Sequence, residues 1–240
     1  MPSLAVRLRD RYYDSGAHPY RIFERRVDSL IRPDTRVLLD AGCGRTAPVL
    51  RKFLGRVERL IGIEMVEFVD VPRGIETHNA DLALLPLADN CVDLVISRSV
   101  FEHLTNPTAV YRELARVLRP GGQLIFLTAN MWDYGTLIAR LVPNRFHAGV
   151  VRLTEGRQDD DTFPTAYKTN TRRDVVRLSS EAGLRVTSFE YLSQYPNYLL
   201  FNGALFFLGM CYEKLISRIE ALRFLRGWIL VIAEKPGLEG

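Results

Sequence analysis

The chain has 240 residues, of which 47% are hydrophobic and 25% are charged, and its formal net charge is +4. These values are typical of a globular protein and exclude a chain that is mainly disordered, collagen-like or coiled coil. The small net charge does not predict a nucleic-acid partner, for which a clustered basic face is typical. Cys43, Cys91 and Cys211 are far apart in the chain, which predicts neither a zinc site nor a disulfide framework.

The N-terminal residues and the most apolar segment of the chain predict where the protein resides. Residues 1–10 contain arginines and no apolar run of the signal-peptide type. The longest strongly apolar stretch, Tyr198–Tyr212, is shorter than the ~20 residues that span a bilayer. We therefore expect a cytoplasmic protein, or one held peripherally at the inner face of the membrane.

Short apolar runs alternate with runs of helical period along most of the chain, which predicts a parallel α/β sheet. Residues 3–31 predict helices that are interrupted at Gly16 and Pro19. The predicted strands are 37–40, 60–64, 74–78, 92–97, 123–128, 184–192 and 228–234. The later predicted helices are 44–54, 107–118, 132–141, 171–182 and 198–222, the last of which is a long helix or a helical pair. Pro120-Gly121-Gly122 is predicted to end the helix 107–118. Residues 143–168 are predicted to form a long loop.

A glycine-rich turn follows the first predicted strand, in the order Asp40, Ala41, Gly42, Cys43, Gly44. Glycines let the backbone approach a ligand closely and adopt a positive φ, and a following helix N-terminus favours anionic ligand groups. Glu64 ends the second predicted strand, where a carboxylate can accept both hydroxyls of a ribose. The pattern therefore predicts a nucleoside-containing ligand at the carboxyl ends of these strands.

The same turn, written as Gly42-x-Gly44-x-x-Ala47, also matches the fingerprint of dinucleotide-binding proteins. A nicotinamide-dependent oxidoreductase is therefore one alternative, and a non-catalytic nucleoside-binding protein of the same fold is another. Three further features favour a different enzyme class. They are Asp81-Leu82 after the third strand, Val100-Phe101-Glu102-His103-Leu104 after the fourth, and Arg119-Pro120-Gly121-Gly122 before the fifth.

In this order, the motifs resemble the class I S-adenosylmethionine-dependent methyltransferases, most of all the branch that methylates small molecules, lipids and sugars. The resemblance is close over about residues 35–130 and looser to about residue 235. It implies a doubly wound, Rossmann-like, seven-stranded and mostly parallel α/β sheet with a reversed last strand and helices on both faces. It also implies one methyltransferase domain over 1–240, made of cap helices (1–34), a cofactor-binding core (35–130) and a substrate-side half (131–240) with an apolar helical insertion at about 196–222.

The resemblance implies S-adenosylmethionine as the cofactor and assigns it a set of binding residues. Asp40 to Gly44 would line its methionine part, Glu64 would bind the ribose hydroxyls, and Met65 would pack on the adenine. Asp81 would accept a hydrogen bond from the adenine amine, with Leu82 nearby, while Ser97 and Arg98 would face the cofactor and the substrate. The full predicted set is Asp40, Ala41, Gly42, Cys43, Gly44, Glu64, Met65, Asp81, Leu82, Ser97 and Arg98.

The acceptor side is less specified by the sequence. Thr46 stands where the family often has a third glycine, and the preceding Arg45 is a candidate contact for the cofactor carboxylate or the substrate. Tyr13, Tyr20 and Trp132 are candidate substrate contacts, and the N-terminal aromatic residues have packing against the sheet edge as their alternative.

Methyl transfer needs little acid–base chemistry, because the sulfonium methyl group is already activated. The candidate bases for an oxygen acceptor are His103, His147 and Asp133. We expect O-methylation of a small or lipid-linked acceptor, which includes saccharides, without a metal, since Asp159–Asp161 reads as a solvated loop. The apolar segment 198–212 has three interpretations: peripheral membrane or lipid contact, a homodimer interface, and ordinary core.

Overall fold

The computed structural model describes residues 3–141 and 164–237. His147 and Asp159–Asp161 lie outside the described residues. The chain forms two compact units, each described by itself below. The sheet unit comprises Phe23–Thr128, Thr165–Glu190 and Leu230–Gly240, and the helical unit comprises Met1–Ile22, Ala129–Pro164 and Tyr191–Ile229.

The sheet unit is built on a seven-stranded sheet with the order β3-β2-β1-β4-β5-β7-β6. Its strands are β1 (Val37–Ala41), β2 (Arg59–Glu64), β3 (Ile75–Asn79), β4 (Val92–Arg98), β5 (Leu118–Ala129), β6 (Arg185–Leu192) and β7 (Trp228–Glu234). The first five strands pair in parallel, with Leu38 opposite Leu60 on one side and opposite Leu94 on the other. β7 runs in the reverse direction, as the family resemblance implied.

The central strands are continuous apolar runs because both of their faces are buried. Leu38 and Leu39 in β1 and Val95 and Ile96 in β4 are fully buried. Next to the sheet, the ring of Phe101 stacks on that of Phe126, with the ring centroids 4.0 Å apart. The parallel register of β1 with β2 and β4 brings the carboxyl ends of these three strands to the same edge of the sheet.

Helices α2 (Pro19–Leu30), α3 (Pro107–Val117) and α5 (Arg172–Glu181) accompany these strands. Asn106 caps α3 by accepting from the N–H of Ala109, and Pro107 occupies the first turn, where no donor is needed. Thr171 caps α5 in the same way, by accepting from the N–H of Asp174. These capped helices lie where the turn and cap residues predicted them.

The predicted helix from Gly44 to Leu54 is wrong, because the segment contains only the 3₁₀ turn Leu50–Phe53. Ala47 has a φ of +45°, which an α-helix cannot contain, and Pro48 disfavours helical geometry at the residue before it. The helix N-terminus that was expected to favour anionic ligand groups at the glycine turn is therefore not there.

The predicted role of Pro120-Gly121-Gly122 as a helix stop is also wrong in detail. α3 ends at Val117 and β5 begins at Leu118, so the three residues lie inside the strand. Gly121 donates its N–H to the carbonyl of Lys235, and Lys235 donates to the carbonyl of Gly122. The chain therefore passes from helix to strand at once, and the glycines serve pairing with the chain just after β7.

The helical unit contains α1 (Leu4–Tyr12), α4 (Tyr134–Leu141) and α6 (Gly203–Arg218). Asn202 caps α6 by accepting from the N–H groups of Ala204 and Leu205. The single long helix or helical pair expected over 198–222 is instead α6 between two 3₁₀ segments, Asn197–Leu199 and Glu220–Leu225. Within the described residues, the structure contains no helix that is long and apolar enough to cross a membrane.

Candidate cofactor site

The glycine turn after β1 is held by backbone hydrogen bonds to β2. Gly42 and Cys43 both donate their N–H to the carbonyl of Ile63, at 2.9 and 3.1 Å. Gly42 has a φ of +77°, and a Cβ atom there would lie 2.3 Å from Cγ2 of Val100. Glycine is required here for both reasons, so the backbone shape of the turn is defined by the surrounding fold.

Glu64, at the end of β2, stabilises the turn through hydrogen bonds to its side chain. Its Oε2 accepts from the N–H of Gly44 at 2.8 Å, and its Oε1 accepts from the N–H of Met65 at 2.8 Å. Each carboxylate oxygen has further lone pairs beyond the one that it uses. Glu64 therefore orients the turn and still presents acceptors for two hydroxyl groups.

Asp40, the last residue but one of β1, is a buried acid next to this turn. Its Oδ2 has no hydrogen-bond partner among residues 3–141 and 164–237. Burial raises the pKa of Asp40 to about 7, against the lowering effect of the Arg98 guanidinium and with a smaller raising effect from Glu64. A buried carboxylate oxygen without a donor is suited to a ligand that brings a positively charged N–H group.

Arg98 and Ser97 end β4 beside Asp40, and they have different roles. The Arg98 guanidinium pairs with Oε1 of Glu24 in α2 at 3.2 Å, and Glu24 also pairs with Lys52. Ser97 is fully buried and donates its hydroxyl to the carbonyl of Ala41 at 2.6 Å. Ser97 therefore holds the end of β1 in position, and its expected contact with the cofactor and the substrate stays a prediction.

The segment after β3 carries the predicted adenine contacts. Asp81 is exposed and accepts from the N–H of Ala83 through one oxygen, while Leu82 is buried. Met65, expected to pack on the adenine, is 63% exposed. An exposed apolar side chain next to Glu64 is available to cover a flat ring system.

A salt-bridged network in α3 fixes the segment that follows Asp81. Arg116 donates to both oxygens of Glu113 and to the carbonyls of Leu85 and Leu87, while Glu113 accepts from the N–H of Leu85. These hydrogen bonds join two residues of α3 to two residues of the segment after Asp81. Glu113 and Arg116 thus hold the segment after Asp81 against α3.

Comparisons with known proteins agree with this geometry. The profile of the family described as "Methyltransferase domain" matches residues 39–126, which contain the glycine turn, Glu64, Asp81 and Arg98. A probable S-adenosylmethionine-dependent methyltransferase of Mycolicibacterium smegmatis is 36% identical over 127 residues, covering 50% of this chain and 48% of that protein. These findings support a class I S-adenosylmethionine-dependent methyltransferase.

Two further similarities cover most of the chain. The 27-O-demethylrifamycin SV methyltransferase of Amycolatopsis mediterranei is 28% identical over 216 residues, covering 84% of this chain and 73% of that protein. The crystal structure of geranyl diphosphate C-methyltransferase from Streptomyces coelicolor has the same fold, with a TM-score of 0.55 and 17% identity, covering 90% of this chain and 77% of that one.

Coverage of the relatives is uneven. The chain spans only 35%, 48% and 39% of the length of three other curated relatives, including the one from Mycolicibacterium smegmatis. The methyltransferase relatives support S-adenosylmethionine as the cofactor. The similarity to methyltransferases agrees with the geometry of the sheet unit, but neither of them identifies the acceptor.

The remaining predicted residues divide between the two units. His103 ends a 3₁₀ turn (Phe101–His103) that begins next to Val100, and its role as general base stays a prediction. Arg45 lies in the glycine loop of the sheet unit, where its carbonyl accepts from the N–H of Val69. Tyr13, Tyr20 and Trp132 belong to the helical unit, so their predicted substrate contacts also stay predictions.

Asp133, one of the candidate bases, has a structural task within the helical unit. Its Oδ2 accepts from the N–H groups of Gly135 and Thr136 at the start of α4. Burial raises the pKa of Asp133 to about 6, and those backbone donors partly oppose the effect. It is therefore a helix cap, a role for which the sequence Asp133-Tyr134-Gly135 was the available signal.

Sequence patterns assigned no individual role to Val100, Glu24 and Glu102, which make contacts with residues distant in the chain. Val100 fills the space that a side chain at position 42 would need, and Glu24 neutralises Arg98. Glu102 is buried, and its carboxylate accepts from the hydroxyl of Thr128. No local pattern around these residues reports the partner, because each contact joins separate elements. Among the described residues, no group of three or more His, Cys, Asp or Glu side chains could hold a metal ion.

Proposed function

We propose that this protein binds S-adenosylmethionine at the turn after β1 and transfers its methyl group to an oxygen atom of a small or lipid-linked acceptor. The observation that carries the cofactor assignment is Asp40. It is a buried acid with an unpartnered Oδ2 beside two glycines of positive φ, Gly42 and Gly44. A ligand that has an ammonium group and must approach the backbone closely would satisfy that arrangement.

The described residues fit the three parts of the cofactor. Asp40 would accept a hydrogen bond from the ammonium of the methionine part, because it is a buried acceptor without a donor. Glu64 would accept from the two ribose hydroxyls, one at each oxygen, without releasing the N–H groups of Gly44 and Met65. Asp81 would accept from the adenine amine through the carboxylate oxygen that Ala83 does not use.

When bound, S-adenosylmethionine supplies a methyl group that its positively charged sulfur already activates. The protein then has to orient the acceptor in line and to exclude water. Its own residues contribute a turn that is rigid before binding, since Ile63, Glu64 and Val100 hold it in place. Preorganisation of this kind needs no paired acid and base.

The oxygen acceptor is supported by a relative that matches most of the chain. The name of the Amycolatopsis mediterranei protein describes a methyltransferase for an O-demethylated small molecule, and that protein matches 84% of this chain. The nicotinamide-dependent alternative is not favoured, because the family match and the relatives are methyltransferases. A non-catalytic binding protein is the alternative that only a transfer assay excludes.

The first experiment is calorimetric titration of S-adenosylmethionine and S-adenosylhomocysteine into the wild type and Glu64→Gln. We expect micromolar binding by the wild type and a loss of about 10- to 100-fold in Glu64→Gln, the scale of hydrogen bonds to a charged group. The matched control is Glu67→Gln, an exposed acid three positions along the chain. Equal affinity in all three proteins, or binding of a nicotinamide cofactor instead, would contradict the proposal.

The second experiment tests transfer. Methyl-labelled S-adenosylmethionine and the protein are incubated with lipid and aqueous extracts of cells that lack the gene, which should contain the unmethylated acceptor. Base-labile label in a product indicates a methyl ester. Base-stable label indicates an O-methyl ether only if fragmentation of the product in mass spectrometry places the methyl group on oxygen, and label on nitrogen, sulfur or carbon would contradict the proposed oxygen acceptor. Tight cofactor binding with no labelled product in either extract would favour the non-catalytic protein.

A further inference from the structure

Helix α6 exposes an apolar face over much of its length. Phe206, Met210 and Ile216 point into the helical unit and are buried. On the other side of the same helix, Phe207 is 49% and Leu208 is 64% exposed. The outward apolar set is Leu205, Phe207, Leu208 and Leu215. An α-helix that is apolar on both sides and has only one side covered has a surface that favours a second contact.

The exposed face continues onto neighbouring segments of the helical unit. α1 lies beside α6 in a parallel direction, since a Cβ atom at Gly203 would lie 2.9 Å from Leu4, and the Lys214 ammonium lies 4.4 Å from the Tyr12 ring centroid. The exposed large apolar residues around α6 are Leu4, Phe201, Ile219 and Phe224. Several exposed apolar side chains on adjacent segments form a patch, unlike single exposed residues, which are ordinary.

The charges on the same two helices are mostly positive. α1 carries Arg7, Arg9 and Arg11, and its one acid, Asp10, pairs with Arg9 at 2.8 Å. α6 carries Lys214 and Arg218. Its one acid, Glu213, is buried, and burial raises its pKa to about 8, so it adds little negative charge at neutral pH. Apolar side chains accompanied by cations are complementary to an anionic lipid surface.

We propose that the face formed by α1 and α6 docks on the surface of an anionic phospholipid membrane. Phe207 and Leu208 enter the boundary between headgroups and acyl chains, while Arg7, Arg11, Lys214 and Arg218 meet the headgroups. A second copy of the chain is the weaker occupant, because a two-fold interface would bring the same cations together. The proposal does not rest on methyl transfer.

Vesicle flotation tests this surface directly. The probes are vesicles of phosphatidylcholine alone and of phosphatidylcholine with a third of phosphatidylglycerol, and the variant is Phe207→Gln/Leu208→Gln, which leaves the charge unchanged. The matched control is Leu84→Gln/Val176→Gln in the sheet unit, two apolar residues that are 77% and 44% exposed. We expect wild type and control to float with the anionic vesicles, and the α6 variant to bind at least tenfold more weakly.

A fluorescent label reports the depth of the contact. Cys211 is exposed on α6, whereas Cys43 is buried and the Cys91 thiol donates to the carbonyl of Ala88. In a Cys91→Ser background, an environment-sensitive dye on Cys211 should brighten and shift to the blue with anionic vesicles, and spin-labelled lipid should quench it. Added salt should weaken the binding, because the arginines act through charge.

Three results would overturn the proposal. They are flotation with neither vesicle, equal binding by the α6 variant, and a concentration-dependent dimer in sedimentation that Phe207→Gln/Leu208→Gln abolishes, which would make the face a contact between copies. Cofactor affinity is measured on the same proteins. Unchanged affinity in a variant that no longer floats shows that docking failed independently of the cofactor site.

Discussion

Asp40 in the sheet unit and Glu213 in the helical unit are both buried acids, and each has one oxygen without a hydrogen-bond partner among residues 3–141 and 164–237. Burial raises both pKa values, to about 7 for Asp40 and about 8 for Glu213. Their surroundings differ in charge. The Arg98 guanidinium opposes the effect at Asp40, whereas Asp133 adds to it at Glu213.

This difference in charge distinguishes Asp40, which we propose as a ligand-binding acid, from Glu213. A cation next to Asp40 lowers the cost of its charged form, and the adjacent glycine turn leaves room for a ligand that supplies another cation. The negative charge of Glu213 stabilises none of the tyrosines around it. It raises the pKa values of Tyr13, Tyr134 and Tyr212. We expect Asp40 to change its protonation when ligand binds and Glu213 to stay protonated at neutral pH.

The largest effect should come from the turn beside Asp40. Gly42→Ala would combine left-handed strain with a clash against Val100, and should cost about 3–4 kcal/mol in the free energy of unfolding. Gly44→Ala is the matched control, since its φ is +73° but a Cβ atom there meets nothing within 4 Å. Strain alone should cost about 1–2 kcal/mol. Equal losses in chemical denaturation would show that Val100 does not define the turn.

Glu213→Gln tests the other acid through the pH dependence of stability. A folded-state pKa of about 8 lies above the ordinary value of 4.5, so the native state is penalised as pH rises from about 5 to 8. The amide cannot ionise, so the stability of the variant relative to the wild type should increase between pH 4 and pH 8 by an amount on the order of a few kcal/mol. At pH 4 the difference should vanish or reverse slightly. A difference that does not change with pH would show that Glu213 is not buried as a neutral acid.

The smallest effect concerns proton release at Asp40. At pH 6 the ligand-free protein should hold a proton on Asp40, because its pKa is about 7. An ammonium group that binds there favours the charged form, so binding should release about 0.5–1 proton. Titrations of S-adenosylhomocysteine in two buffers with different ionisation enthalpies measure this release. Asp40→Asn should bind about tenfold more weakly and release no proton, and a variant that still releases one would assign the proton to another group.

Much of the sheet unit was predictable because its signals are local. Apolar runs located all seven strands to within a few residues, apart from the early start of β5, and Asn106 and Thr171 marked where α3 and α5 begin. The order of the motifs indicated the resemblance to the methyltransferases. The glycine turn follows β1, Glu64 ends β2 and Asp81 follows β3, and these three strands are parallel. The helix predicted after the glycine turn does not form, because Pro48 disfavours helical geometry at Ala47.

The sequence by itself determined the strands, the helix caps and the resemblance to the methyltransferases, because periodicity, capping and turn residues act between neighbours in the chain. Tertiary structure alone decided that Ser97 binds the carbonyl of Ala41, that Val100 excludes a side chain at Gly42, and which side of α6 stays exposed. It also decided the two pKa shifts, since burial and charge at Asp40 and Glu213 depend on side chains brought together from separate elements. A one-dimensional pattern does not contain those distances.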